Sequence, residues 1–325
     1  MKILVAGGAG YIGSRLVPVL LEHGYDVTVV DLLWFGNHLP REVKVIQKDL
    51  FDCDAASFTG FDQVMFFGGL SNDPMAEYNP AKNFILNAAL PAFLAFSAKQ
   101  VGVKRFIYAS SCSVYGYSVN QLYDETSPAT CAYPYGISKL QGESGVFQLY
   151  NEKDPFSVIA IRQGTVCGFS PRMRMDLIVN TMFKTAMTEG KIIINNPSIW
   201  RPILDIRDTV NAFLRAVQAD YAISGIFNVA SGNYTVGQVG DMVKDELEKL
   251  TGTKIKIELK NIQDFRNYKV SFEKAKTYLG YQPQYEVKDI VIDLYEHKEL
   301  FGDYLQDEFY NIRVFKKLGA HNYWP

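Results

Sequence analysis

The sequence predicts an α/β fold in which a doubly wound, Rossmann-type parallel sheet carries a smaller, discontinuous α/β substrate lobe. Two observations favour this class. Residues 1–31 follow the order strand, glycine turn, helix, strand, and short apolar strands then continue to alternate with helical stretches. The length of 325 residues suits one large α/β unit with an appended lobe. We therefore expect ligands to bind at the carboxyl ends of the strands.

A glycine-rich turn follows the first apolar strand. Gly7 lets the chain turn sharply, and Gly10 lets backbone N–H groups, including those of Tyr11 and Ile12, approach a diphosphate. Gly13 lets the next helix pack closely against the strand. Because the positive end of that helix faces the phosphates, the pattern predicts a dinucleotide site.

Asp31 ends the second predicted strand, residues 27–30. A carboxylate at this position accepts hydrogen bonds from both hydroxyls of the adenosine ribose. It would also repel a 2′-phosphate. The sequence therefore predicts NAD, and not NADP, as the cofactor.

The ends of the next strands supply further candidate cofactor contacts. Asp49 and Leu50 follow the predicted strand 43–47 at a position suited to the adenine ring. Gly68 and Leu70 follow the predicted strand 63–67, where small residues let a cofactor cross the sheet edge closely. A plain turn is the alternative for this segment. Asn87, on the predicted helix 80–101, is expected to contact the cofactor or to support the catalytic groups.

Tyr135 and Lys139 are four residues apart at the start of a predicted helix, so their side chains share one face. A lysine cation beside a phenol lowers the phenol pKa, which makes Tyr135 a candidate general acid and base. An ordinary surface pair on a helix is the alternative. The preceding dinucleotide pattern and the strand-end serines favour catalysis.

With these motifs the chain resembles an extended short-chain dehydrogenase/reductase of the NAD-dependent nucleotide-sugar epimerase/dehydratase type. The matching segments are GGAGYIG at 7–13, Asp31, SSCSVYG at 110–116 and the pair Tyr135 and Lys139. The resemblance implies that Ser111, Tyr135 and Lys139 form the catalytic set. Ser111 and Tyr135 would contact the sugar, while Tyr135 and Lys139 would also contact NAD.

The resemblance further implies a nucleotide diphosphate sugar as substrate, held by Arg201 in segment 200–208 and by Arg266 in segment 264–271. Thr165 lies where the family usually has an Asn-Val-Tyr-Gly run, and it is a candidate substrate contact. Arg172 and Arg174 suit binding of the substrate diphosphate. An exposed, solvated loop is the alternative for these two arginines.

The expected reaction is epimerisation through a transient keto sugar, with C4 as the expected position. Dehydratases of the family carry Asp-Glu after the catalytic residue, whereas this chain has Cys112 and Ser113, which disfavours dehydration. The segment PRMRMD at 171–176 is similar to one in GDP-heptose 4-dehydrogenases, so a 4-dehydrogenase or 4-ketoreductase is the alternative. A non-catalytic NAD-binding sensor or structural protein is the alternative of another class; retention of the Tyr–Lys pair disfavours it.

We predict that residues 1–169, about 205–230 and part of 291–325 form the NAD-binding domain. The lobe would comprise about 170–204 and 231–290. The helices carrying Asn87 and Tyr135 usually pair across a two-fold axis in the family, so the resemblance implies a homodimer. Its expected interface residues are Phe93, Phe96, Phe147 and Leu149, which could instead belong to the core.

The composition limits other functions. A net charge of −2 gives no general attraction to nucleic acid or to anionic membranes. The four cysteines and four histidines have no metal-ligand spacing, so we expect no metal. We find no signal peptide or membrane-spanning run and expect a cytoplasmic protein.

Overall fold

The computed structural model describes residues 1–260 and 266–318, apart from the side chains of 118–120. Its main sheet has seven parallel strands in the order β11-β7-β5-β4-β1-β2-β3, which confirms the predicted fold class. The strands are β1 Lys2–Ala6, β2 Asp26–Asp31, β3 Lys44–Gln47, β4 Gln63–Phe66, β5 Arg105–Ser111, β6 Tyr117–Tyr123, β7 Ser157–Gln163, β8 Thr165–Cys167, β9 Lys191–Asn195, β10 Trp200–Asp205, β11 Gly225–Val229, β12 Gly232–Thr235, β13 Lys256–Lys260 and β14 Asn267–Val270.

The direction of winding reverses between β1 and β4, which are neighbours in the sheet. The chain runs outward from β1 through β2 to β3, and in the other direction from β4 through β5 and β7 to β11. A crevice opens at the carboxyl ends of strands on either side of such a switch point. The glycine turn after β1 and the loop after β4 therefore face the same crevice.

Helices cover both faces of the main sheet and build the lobe. The helices are α1 Gly13–Glu22, α2 Asp73–Tyr78, α3 Pro80–Phe84, α4 Leu90–Gln100, α5 Pro134–Phe147, α6 Ile178–Glu189, α7 Ile206–Gln218, α8 Val236–Thr251, α9 Glu273–Leu279, α10 Val287–Glu296 and α11 Asn311–Lys317.

The single helix predicted at 80–101 is interrupted by a π-helical turn, Ile85–Ala89, between α3 and α4. Pro91 has no N–H to donate to the carbonyl of Asn87 four residues earlier. The Tyr108 hydroxyl, from β5, donates to that carbonyl at 2.7 Å instead. The turn thus ties the helix to β5, the strand that ends in Ser111.

Three small sheets lie outside the main one, in the orders β12-β10-β8, β13-β9 and β14-β6. A second core joins α6, α8 and α10 around Phe183, Val243 and Ile290. Phe301 also packs in this core, although the sequence assigned part of 291–325 to the NAD-binding domain. The exact division into domains stays a prediction.

One stretch, Pro80–Gln100, meets the length and composition of a membrane span at a mean hydropathy of 1.2, contrary to the sequence expectation. Of the window tested in this stretch, 56% is buried inside the protein. Leu90, Leu94 and Ala98 pack there in the core of the main sheet. A buried core helix of a soluble protein passes the same test.

Candidate active site

A cleft of about 910 Å³ opens at the carboxyl ends of the main strands, between them and the lobe. It brings together residues predicted from segments far apart in the sequence. The predicted site residues that line it are Gly7, Gly10, Tyr11, Ile12, Gly13, Asp31, Asp49, Leu50, Gly68, Leu70, Ser111, Tyr135, Lys139, Thr165, Arg172, Arg174, Arg201 and Arg266.

The glycine turn has the shape that a dinucleotide needs. Gly7 has φ +76°, and a Cβ there would lie 2.4 Å from the backbone nitrogen of Gly68, so a larger residue would separate β1 from β4. A Cβ on Gly13 would lie 2.1 Å from the carbonyl oxygen of Gly8. A Cβ on Gly10 would lie 3.6 Å from its nearest neighbour, the carbonyl oxygen of Gly7, so the backbone is open toward the cleft there. The turn therefore fits a diphosphate approaching the start of α1.

Asp31 lies at the end of β2 with both carboxylate oxygens fixed by backbone donors. Ala9 N donates to Oδ2 at 2.9 Å and Leu33 N donates to Oδ1 at 2.8 Å. Burial raises the pKa of this carboxyl. Each oxygen keeps a second lone pair for a ribose hydroxyl, so the residue fits the predicted ribose contact.

Asn87 is the one predicted site residue that lies behind the cleft instead of lining it. It is fully buried, and its Nδ2 donates to the carbonyl of Leu70 at 2.9 Å and to Oγ of Ser138 at 3.2 Å. These bonds join the loop after β4 to α5. These contacts agree with a role in supporting the catalytic groups, and both predicted roles of Asn87 stay predictions.

The three catalytic candidates converge on one wall of the cleft. Ser111 ends β5, Tyr135 lies in the first turn of α5 and Lys139 lies one turn later. Ser111 Oγ donates to Oγ of Ser113 at 3.1 Å, and Ser111 and Tyr135 both line the cleft. Lys139 Nζ lies 5.8 Å from the Tyr135 ring centroid and donates to the carbonyl of Ala109 at 2.8 Å.

A glycine in α5, Gly142, lets this helix lie close to β5. A Cβ on Gly142 would lie 2.3 Å from the Tyr108 hydroxyl and 2.4 Å from the Asn87 carbonyl oxygen. Only glycine lets α5 lie this close to β5 and to the π-helical turn. The short distance between helix and strand brings Tyr135 to the end of β5.

The predicted lowering of the Tyr135 pKa is wrong for the chain alone. Burial raises the pKa of this phenol, and the negative charge of Asp73 raises it further. Lys139 does not offset this, because its ammonium points to the Ala109 carbonyl and burial lowers its own pKa to about 7. For Tyr135 to accept a proton near neutral pH, its pKa would have to fall on ligand binding, which a positive charge beside the phenol would achieve.

We expect Lys139 to destabilise the cofactor-free protein in a pH-dependent way. Between its folded pKa of about 7 and its usual value of 10.5, the unfolded chain binds a proton that the folded chain does not. The loss of folding free energy caused by Lys139 is therefore largest below about pH 7 and decreases as the pH rises toward 10.5. Lys139→Met should be more stable than the wild type by roughly 2–4 kcal/mol below pH 7. Urea unfolding of stripped protein across this range tests it; a pH-independent difference would contradict it.

The predicted substrate residues line the cleft from the lobe side. Arg201, on β10, is 8% exposed and donates through Nη1 to the carbonyl of Trp200 at 3.0 Å. Arg174 forms a bidentate ion pair with Asp176, at 2.8 and 3.0 Å. Thr165 opens β8 and is half-buried. Their contacts with substrate stay predictions.

Sequence analysis missed a carboxylate beside the catalytic tyrosine. Asp73 Oδ2 accepts from Arg266 at 2.5 Å, while Oδ1 is buried with no partner among the described residues. Arg266 was predicted from a motif whose residues 264 and 265 lie outside the described residues. The pair spans 193 positions, so no local pattern could have revealed it.

The C-terminal segment also contributes to the cleft, which sequence analysis did not predict. Asn311 and Ile312, at the start of α11, line the cavity. The sequence continues to residue 325, and 319–325 lie outside the described residues. Within the described residues no group of three or more His, Cys, Asp or Glu side chains could hold a metal.

Comparisons with known proteins agree with this geometry. The model of the NAD dependent epimerase/dehydratase family matches residues 3–230. UDP-glucose 4-epimerase from Corynebacterium glutamicum is 28% identical over 325 residues, covering 93% of this chain and 97% of that protein. UDP-arabinose 4-epimerase 1 from Arabidopsis thaliana is 30% identical over 305 residues, covering 79% and 68%. The structure of UDP-glucose 4-epimerase from Thermotoga maritima with UDP-glucose gives a TM-score of 0.80 at 26% identity, covering 92% and 100%.

The parallel sheet, the glycine turn with Asp31 and the Ser–Tyr–Lys set together define an NAD-dependent enzyme of the short-chain dehydrogenase/reductase superfamily. Within that class, the chain belongs to the NAD dependent epimerase/dehydratase family.

Proposed function

We propose that the protein is an NAD-dependent nucleotide-sugar 4-epimerase. The observation that carries the proposal is the convergence of Ser111, Tyr135 and Lys139 on a cleft that also contains the dinucleotide turn and four arginines. Such a cleft can hold a nucleotide diphosphate and present a sugar to the catalytic wall. The two curated relatives are both named as 4-epimerases of UDP-sugars. UDP-sugars are therefore the first substrates to test.

In the proposed mechanism, Tyr135 takes the proton from the C4 hydroxyl of the sugar, and Ser111 hydrogen-bonds the same oxygen. NAD, when bound, supplies the hydride acceptor for C4 and the hydride donor for the return step. In the return step Tyr135 would give the proton back to the C4 oxygen. Arg201 and Arg266 hold the diphosphate while the sugar turns, which keeps C4 within reach.

Dehydration is disfavoured by the residues that follow Ser111. Cys112 is fully buried, and its thiol donates to the carbonyl of Arg162 at 3.1 Å. Burial raises the pKa of this thiol. Ser113 lines the cleft but is neutral. Neither side chain therefore supplies the charged acid and base that remove water across C5 and C6.

We also propose a homodimer that pairs the faces of α3 and α4. Phe84, Phe93 and Phe96 are 46%, 48% and 47% exposed, an unusual density of exposed aromatic rings. Phe147 and Leu149, predicted for the same interface, are half-buried and pack against the core of the main sheet. The cytoplasmic location stays a prediction.

The test mixes NAD-loaded protein with UDP-, GDP-, dTDP- and CDP-sugars in turn, and follows NADH absorbance and the products by NMR. The proposal predicts a new C4 epimer with no lasting NADH. Stable NADH with a released keto sugar would make the protein a dehydrogenase. Reduction of a supplied 4-keto sugar by NADH-loaded protein, with no epimer formed, would make it a ketoreductase.

A further inference from the structure

Arg172 is buried in the cleft wall with part of its hydrogen-bonding capacity unused. It is 2% exposed, and its guanidinium carbon lies 3.6 Å from the ring centroid of Phe35. Nη2 donates to Oδ1 of Asn311, whereas Nε and Nη1 have no partner among the described residues. Buried donors on a charged group are costly unless an anion meets them. Arg172 also lines the cleft, so an anion bound there would lie beside its positive charge.

The neighbours of Arg172 place it in the half of the cleft that suits the cofactor. Phe35 lies four residues after Asp31, on the loop that follows β2. Asn311 Nδ2 donates to Oγ of Ser71 at 2.6 Å, on the loop that follows β4. These two loops flank the glycine turn at the switch point of the sheet. In contrast, Arg201 belongs to β10 in the lobe.

The electrostatic surroundings agree with an anion in this position. Burial and the positive charge of Arg174 together lower the pKa of Arg172 to about 9. The negative charge of Asp176 acts most strongly in the opposite direction, followed by Tyr11 and Asp31. Arg174 already pairs with Asp176, so a diphosphate between the glycine turn and Arg172 would mainly compensate Arg172.

Helix α11 covers this half of the cleft. Phe315 is 1% exposed and packs in one cluster with Leu70 and Met75. Its ring centroid lies 5.9 Å from that of Trp34 on the loop after β2. The helix therefore joins the loop after β2 to the loop after β4, and Asn311 at its first position holds Arg172.

We propose that Arg172 binds the diphosphate of NAD and that α11, through Asn311, closes the cofactor side of the cleft over it. The sequence predicted Arg172 as a substrate contact, and the proposal moves it to the cofactor. Release of the dinucleotide then requires α11 to move away. Such retention suits an enzyme that returns the hydride to the sugar it came from. The proposal rests on NAD binding and not on epimerase activity, so the two can fail separately.

The test uses full-length protein loaded with radiolabelled NAD and chased with unlabelled NAD. Arg172→Gln should speed release of the label at least tenfold, and Asn311→Ala should speed it several-fold. Calorimetry on NAD-saturated protein should give UDP dissociation constants within twofold of the wild type for both variants. Arg313→Gln is the matched control, because Arg313 is an exposed arginine on the same helix, paired with Asp307. It should release NAD at the wild-type rate.

Each contrary outcome is distinct. Unchanged NAD release in both variants would overturn the proposal. Weakened UDP binding by Arg172→Gln, with NAD release unchanged, would return Arg172 to the substrate. Equal acceleration by Arg313→Gln would show general loosening of α11 and would overturn the role of Asn311. If Arg172→Gln does not fold, Arg172→Lys replaces it, because lysine keeps the charge but lacks the planar fork.

Discussion

Tyr135→Phe should lower turnover by about 10³-fold while binding of NAD and nucleotide stays within a few-fold of the wild type. The substitution removes only the hydroxyl that accepts and returns the proton at C4. The ring keeps its place in the first turn of α5, so Lys139 and the cleft wall stay where they are. Steady-state rates on the responding nucleotide sugar, with calorimetry for UDP, measure the two effects separately.

A matched control for this variant is Tyr150→Phe. Tyr150 lies three residues beyond the end of α5, half-buried against the core of the main sheet and away from the cleft. Loss of the Tyr150 hydroxyl should leave turnover within about twofold of the wild type. Retention of more than a tenth of the rate by Tyr135→Phe would show that another group moves the proton. Asp73, with its buried free oxygen, would then be the next group to replace.

The first half of the site could be predicted because its signals are local. Gly7, Gly13 and Asp31 lie within one strand–helix–strand unit, and the spacing of Tyr135 and Lys139 alone puts both on one helix face. The strand alternation predicted the parallel sheet in the same way. In these segments the neighbours in space are also neighbours in the sequence.

The rest of the site depends on contacts between distant segments. Asn311 meets Ser71 across 240 positions, and Arg266 meets Asp73 across 193, so neither pair leaves a pattern in the sequence. The prediction that the Tyr135 pKa is lowered was wrong for a related reason. The spacing to Lys139 was right, but burial and the charge of Asp73 decide the pKa, and both come from the tertiary structure.

A buried ion pair behind the catalytic wall gives the largest expected effect on stability. Arg162, on β7, and Glu143, on α5, are 4% and 2% exposed and form two hydrogen bonds, Nε to Oε1 at 2.8 Å and Nη2 to Oε2 at 2.7 Å. Ser110, next to Ser111, also donates to Glu143 at 2.5 Å. Glu143 lies one turn beyond Lys139. The pair therefore ties the catalytic helix to two strands of the main sheet.

Arg162→Met should lower the free energy of unfolding by about 3–5 kcal/mol, because it leaves the Glu143 carboxylate buried without its partner. The double variant Arg162→Met with Glu143→Leu should recover most of that loss, since neither charge of the buried pair remains. Lys249→Met, which breaks an exposed pair with Glu246, should change stability by less than about 1 kcal/mol. Urea unfolding of the NAD-saturated proteins measures these three variants and the single variant Glu143→Leu. A double variant as unstable as the sum of its single changes would show that the two side chains act independently, so the pair could not be what fixes α5 to the sheet.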